Sequence, residues 1–300
     1  MEEDIIMIKE NIESLNGLFK EVENNINNDS VSSREFDYVY CQIARLIAAW
    51  IEYAIKSEND FNDGYELNKG LIIGLFVRLF KILVNIDKLI YKDSMSYDIA
   101  MQLGRKTIEL CATAQYLLKY KDDEELIEKY KYKSIIGEKN FYDRVVNDMN
   151  GTNDEAVFIQ KRVIQSIDEK FNKLNIDKSK SIKKFPNIET VFAKTGHKAL
   201  YDIAYRVVSH SIYADAMATV TDDLLYEKEN KKFFLKFEQN QYDLRQYNPT
   251  LIIILYALKD FIQTYEFSFD KNIFIREGEI ILNFIEKLEK LHEEYLNKKQ

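Results

Sequence analysis

The sequence predicts an all-α protein, an irregular multi-helix bundle, on three observations. Nine glycines and two prolines in 300 residues are too few to supply the tight turns of a sheet-rich fold. Apolar residues make up 46% of the chain and recur at three- and four-residue steps through most of its length. Alternation at a period of two is confined to residues 232–237, which fit a short strand or an irregular segment equally well. Three hundred residues would suit two average domains, but one large helical unit accommodates them too, and we read a single helical domain over 1–300.

Ile5, Ile8, Ile12, Leu15, Leu18 and Val22 stand at helical spacing with acidic residues between them, which predicts an amphipathic helix over 3–28. A second helix, Ser33 to Lys56, carries Phe36, Tyr40, Trp50 and Tyr53 among Ile43, Leu46 and Ile47, a pattern for burial. A turn at Asn62-Asp63-Gly64 leads into a third helix ending near Tyr91, and Ser94 is placed to cap a fourth, which runs to Leu118. A charged helix over 122–149 stops at Asn150-Gly151, and Thr152 with Glu155 has the form of a capping box for the next, ending near Leu174. The Lys-rich stretch 172–184 reads as a loop. A short helical turn over Ile188 to Ala193 and a break at Thr195-Gly196 precede a long helical stretch from His197 to Leu225. Asn248 as cap and Pro249 at the first position open a helix to about Phe267, and a last amphipathic helix runs from about Glu277 to Leu296. The helices over 1–57 and 248–298 are expected to pack on a core formed by residues 60–225.

The formal net charge is −8, the wrong overall sign for a protein living on nucleic acid or anionic lipid, which leaves room only for a local basic groove. Cys41 and Cys111 lie inside apolar helical patterns and read as reduced, buried thiols. The chain opens Met-Glu-Glu-Asp, and no uncharged run reaches the length of a membrane span. Leu71 to Ile86, interrupted by Arg78 and Lys81, and Leu251 to Leu258 read as buried core helices. A cytoplasmic protein without membrane association is expected.

Two helices carry charge that a purely structural helix would not need. In the fourth, Arg105 and Glu109 lie one turn apart in a small and apolar run, where an unpaired charge is costly to bury. In the stretch 197–225, Asp202, Arg206, Ser209, His210 and Tyr213 recur at three- and four-residue steps and share a helix face among Ala, Ile and Val. Such a face either solvates, pairs internally or lines a site. The structural alternative is a ladder of surface ion pairs worth a few tenths of a kcal/mol each. For Arg105 and Glu109 it is a register-fixing pair within the molecule. His197, after Gly196, reads as a capping or solvent residue, and His292 as a surface residue.

These motifs, Leu-x-Arg-x-x-x-Glu at 103–109 and Tyr-Arg-x-x-Ser at 205–209, resemble the bacterial family known as domain of unknown function 5677, over roughly residues 60–225. That resemblance implies an all-α fold and no agreed activity. Arg206 followed one to two turns later by His or Tyr is also similar to the HEPN superfamily, helical bundles in which an Arg and a downstream His form a metal-independent RNase site, often in toxins and phage-defence systems. There Arg holds the scissile phosphate and the imidazole acts as general acid or base on the ribose hydroxyl. This sequence departs from the pattern: Tyr213 stands where the histidine is expected, and His210 falls one residue short of the usual spacing. A phenol with an ordinary pKa near 10 is a poor base. Either His210 has taken the role or the protein is catalytically silent.

No Gly-rich phosphate loop, nucleophile elbow, His-Glu-x-x-His, di-iron carboxylate-x-x-His repeat or Cys cluster occurs in the sequence. The expectation is therefore a protein with no cofactor and no metal site, acting as a HEPN-like RNase or a degenerate relative. Arg206 would anchor phosphate and His210 serve as acid or base, with Tyr213, Ser209, Asp202, Glu109 and Arg105 around them. RNA is the implied substrate, and the resemblance implies a homodimer. The alternative is a non-catalytic helical module whose polar face receives a ligand or a regulatory protein partner.

Overall fold

The computed structural model describes residues 2–27, 32–92, 97–148, 154–177, 183–205, 224–235 and 247–299. Ten α-helices, one π-helical turn and one two-stranded hairpin account for the regular structure of these residues. The all-α class is therefore as the spacing of apolar residues predicts.

Helices α1 (Glu2–Asn27), α2 (Ser33–Lys56), α3 (Leu67–Lys92) and α4 (Tyr97–Lys119) pack in sequence order. α2 begins where Glu35 accepts from the backbone N–H of Ser32 at 3.1 Å, and Asn25 at the end of α1 donates to the same carboxylate at 2.9 Å. The turn after α2 needs Gly64, whose φ of +83° is disfavoured for residues with a Cβ. α9 (Asn248–Thr264) lies against α4 and α2, and α10 (Lys271–Lys299) closes the bundle against α9 and α1.

Aromatic side chains lock these helices together. Phe76 of α3 stacks on Phe261 of α9 at 4.5 Å, Trp50 of α2 meets Phe274 of α10 at 4.5 Å, and Phe19 of α1 stacks on Phe284 of α10 at 4.9 Å. Each such ring buries enough apolar surface to contribute about 2–3 kcal/mol. Cys41 and Cys111 are free thiols inside this core, as expected.

α5 (Glu124–Asp148) and α6 (Asp154–Lys173) form a satellite around Ile135, Ile167, Phe171 and Ile176. α7 (Ile188–Lys194) opens with Asn187 Oδ1 accepting from Thr190 N–H at 2.8 Å. It ends at Gly196, again at φ +83°.

Five expectations change. The stretch from His197 opens as α8 (Lys198–Leu200) and passes directly into a π-helical turn, Tyr201–Tyr205, so the regular α spacing assumed from Asp202 does not hold at its start. Leu224 and Leu225, read as the end of that helix, belong instead to strand β1 (Leu224–Glu227), antiparallel to β2 (Lys232–Leu235). Cross-strand pairing explains the change, since Tyr226 packs on Phe233 at 4.9 Å and Glu227 faces Lys232. Asn248 is not a cap: Tyr247 holds that position, and Asn248 is a buried first-turn residue. His292, read as surface, is buried and stacks on Phe36 at 4.3 Å. α10 starts earlier than predicted, and Leu288, Leu291, His292 and Tyr295 share one apolar face of it.

Candidate functional site

The two motif-bearing segments meet. Arg105 projects from the third turn of α4, half-buried, and its Nη2 donates to the hydroxyl of Tyr205 at 3.2 Å, across 100 residues of chain. The guanidinium carbon also lies 4.6 Å from the centroid of the Tyr205 ring, so the cation is held both by the phenol oxygen and by the π face. Tyr205 is itself buried and wedged by its neighbours: it stacks on Tyr201 at 5.4 Å and leans on Phe192 of α7 at 5.7 Å. The π-helical turn widens the backbone there and brings Tyr201 and Tyr205 to one side. Phe192, fully buried, is the fixed floor on which both tyrosines rest.

Glu109 takes a different direction from Arg105. Its ion pair is with Lys106, at 3.3 Å, and it lines a groove between α3, α4 and α5 that also holds Arg78 and Tyr130. Burial raises the Tyr130 phenol above its ordinary pKa, with Arg78 lowering it and Glu109 raising it, so these groups sense one another. Asp202 is exposed on the π-helical turn. Arg206, Ser209, His210 and Tyr213 lie outside the described residues. The structure thus brings Arg105 to the residue immediately preceding Arg206, and directs Glu109 to the groove.

His197 stands at the cap position of α8 without a capping bond, its ring stacked on Tyr256 of α9 at 5.7 Å. Burial lowers its pKa, with Asp260 acting against the shift. Asp260 in turn accepts from Gln115 Nε2 at 2.7 Å, which ties α9 to α4 beside a polar pocket of about 350 Å3.

Sequence reasoning quoted Tyr205 in a motif but gave it no role, and it passed over the groove. Gly70, Gly74 and Arg78 recur at four-residue steps on α3, and that spacing is the signal that marks the groove wall. Among the described residues no three His, Cys, Asp or Glu side chains gather as a metal ion would require, and no helix is long and apolar enough to cross a membrane.

No curated protein and no solved structure matches the chain. A family match covers residues 69–224, from the first turn of α3 to the first residue of β1, and includes both motifs, Arg105 with Glu109 and Tyr205 with Arg206. That span is more than half of the chain, and the protein belongs to the family of unknown function DUF5677.

Proposed function

We propose that this protein is a metal-independent endoribonuclease of the HEPN kind, acting in a bacterial defence or toxin setting. The observation that best supports this reading is the bond from Arg105 to Tyr205, because it joins the two charged motifs at one place and Arg206 directly follows Tyr205. In the proposed chemistry Arg206 neutralises the scissile phosphate. His210 takes the proton of the ribose 2′-hydroxyl, whose oxygen then attacks phosphorus, and the 5′-oxygen leaves with a proton returned by the imidazolium. An imidazole near its ordinary pKa serves in both directions at neutral pH. Tyr213 and Ser209 supply hydrogen bonds to phosphate oxygens, while Arg105 and Asp202 add the charged surround; Glu109, paired with Lys106 in the groove between α3, α4 and α5, takes no part.

The test is total-RNA integrity and growth in cells expressing the wild type, Arg206→Ala and His210→Ala, with all three shown to be folded by circular dichroism. Removing the phosphate anchor or the acid-base group should lower cleavage by about 100-fold or more. Undiminished cleavage in both variants overturns the assignment.

A second reading, a non-catalytic helical module, draws support from Tyr213 standing where the resemblance calls for histidine, and from the Arg105 guanidinium being already engaged by Tyr205. Intact RNA with folded wild type and a specific co-purifying partner would establish it in place of the first.

A further inference from the structure

The groove between α3, α4 and α5 has a volume of about 450 Å3, within the range of small-molecule sites. Four cations line it, Arg78 from α3, Lys106 from α4, and Lys131 and Lys133 from α5; Lys106 pairs with Glu109 at 3.3 Å and Lys131 with Glu128 at 2.9 Å. In a chain of net charge −8 this is a concentration of the opposite sign. Lys131 is the unusual member: it is only 6% exposed, and its ammonium is held in place by Glu128 at 2.9 Å. An ordinary surface lysine stays in water, because burying its charge is costly. Leu75, Leu110 and Tyr130 give the groove an apolar wall beside these charges.

The glycines of α3 fit the same picture. Gly70 and Gly74 line the groove one turn apart and one turn before Arg78. Each costs an exposed helix about 1 kcal/mol relative to alanine. Close helix packing does not account for them: a Cβ at Gly74 would meet nothing within 4 Å, and one at Gly70 would meet only Tyr65 Cβ at 3.5 Å. The missing side chains leave open space inside the groove.

We propose that this groove binds a small phosphate ester of about mononucleotide size. The cations come from three different helices around one space, with Arg78 and Lys106 on one side and Lys131 and Lys133 on the other, which suits the several oxygens of a phosphate better than a lone carboxylate. The uncharged part of the ligand packs on Leu75, Leu110 and Tyr130. This inference stands apart from the RNase reading, since it uses none of Arg206, Ser209, His210 or Tyr213.

Isothermal titration of the full chain at low salt tests it, with AMP and pyrophosphate as probes and adenosine as the uncharged control. AMP should bind with a Kd of about 1 mM or tighter, and adenosine at least tenfold more weakly. Pyrophosphate binding as tightly as AMP would place the recognition in the cations; weaker binding would add the apolar wall to it. Arg78→Gln combined with Lys106→Gln should weaken AMP at least tenfold. Gly74→Met, which puts a side chain into the groove from a position where a Cβ meets nothing within 4 Å, should abolish binding while the melting temperature stays level or rises. Absence of heat with both AMP and pyrophosphate at about 10 mM overturns the proposal. So does AMP binding that survives Gly74→Met in a folded protein.

Discussion

Arg105 and Tyr205, 100 residues apart, are joined by a 3.2 Å hydrogen bond from Nη2 to the phenol oxygen, with the guanidinium 4.6 Å from the ring centroid. The two contacts separate by substitution. Tyr205→Phe keeps the ring and removes the hydroxyl, so it should lower stability by about 0.5–1.5 kcal/mol in urea denaturation. Tyr205→Ala also removes a buried ring resting on Phe192, and should cost about 3–5 kcal/mol.

Lys69 clamps the loop after α2, donating to Glu58 at 2.7 Å and Asp60 at 2.6 Å. The same loop bonds to the α9–α10 connection through Asn59 N–H to Glu266 C=O and Ser268 N–H to Ser57 C=O. The Glu58 side chain is 1% exposed. Lys69→Met should therefore strand a buried carboxylate and destabilise the fold by about 3–5 kcal/mol, whereas Lys56→Met, which breaks an exposed pair with Glu52, should change stability by less than about 0.5 kcal/mol.

Alkaline pH should weaken the fold in a defined window. Burial, with Glu58 nearby, raises the phenols of Tyr65 and Tyr265 to about 12. A pKa above the unfolded value means that the folded state holds the proton more tightly, so this contribution is complete below pH 10 and disappears as pH rises towards 12. Unfolding free energy measured from pH 8 to 12 should be level and then fall above pH 10, less steeply in Tyr265→Phe.

The sign reverses for His197, whose pKa is lowered by burial despite Asp260. Its contribution is present above the unfolded value of 6.5 and lost as pH falls through the lower folded value. His197→Phe should flatten the acid limb of the stability curve below pH 6.5 without changing it at pH 8.

Glycines on two faces of the bundle should respond oppositely to enlargement. At Gly104 on α4 a Cβ would sit 3.4 Å from Thr250 Oγ1 and 3.6 Å from Tyr247, so alanine just fits and Gly104→Leu should overpack the α4–α9 contact by about 1–3 kcal/mol. Gly74→Ala meets nothing and should stabilise by about 0.5–1 kcal/mol, read as a rise in melting temperature.

The sequence by itself determined the class of fold, the bounds of α2 from Ser33 to Lys56, the short α7 after Asn187, and the burial of both cysteines. Each follows from local physics: apolar period, capping residues and helix-breaking turns act over a few neighbouring positions. Family membership was legible as well, because the two motifs stand intact in the chain.

Only the tertiary structure decided where the remaining polar groups go. Arg105 and Glu109 have the same one-turn spacing whether or not they pair, yet one turns to Tyr205 and the other to Lys106 beside the groove. His292 has a polar side chain in a charged terminal stretch, yet Phe36 from the other end of the chain buries it. Leu224 and Leu225 suit a helix as well as a strand until Phe234 and Leu235 pair with them. For Arg105 and His292 the deciding partner lies outside the local window, on another element, and long-range packing outweighs a local preference of less than about 1 kcal/mol per residue.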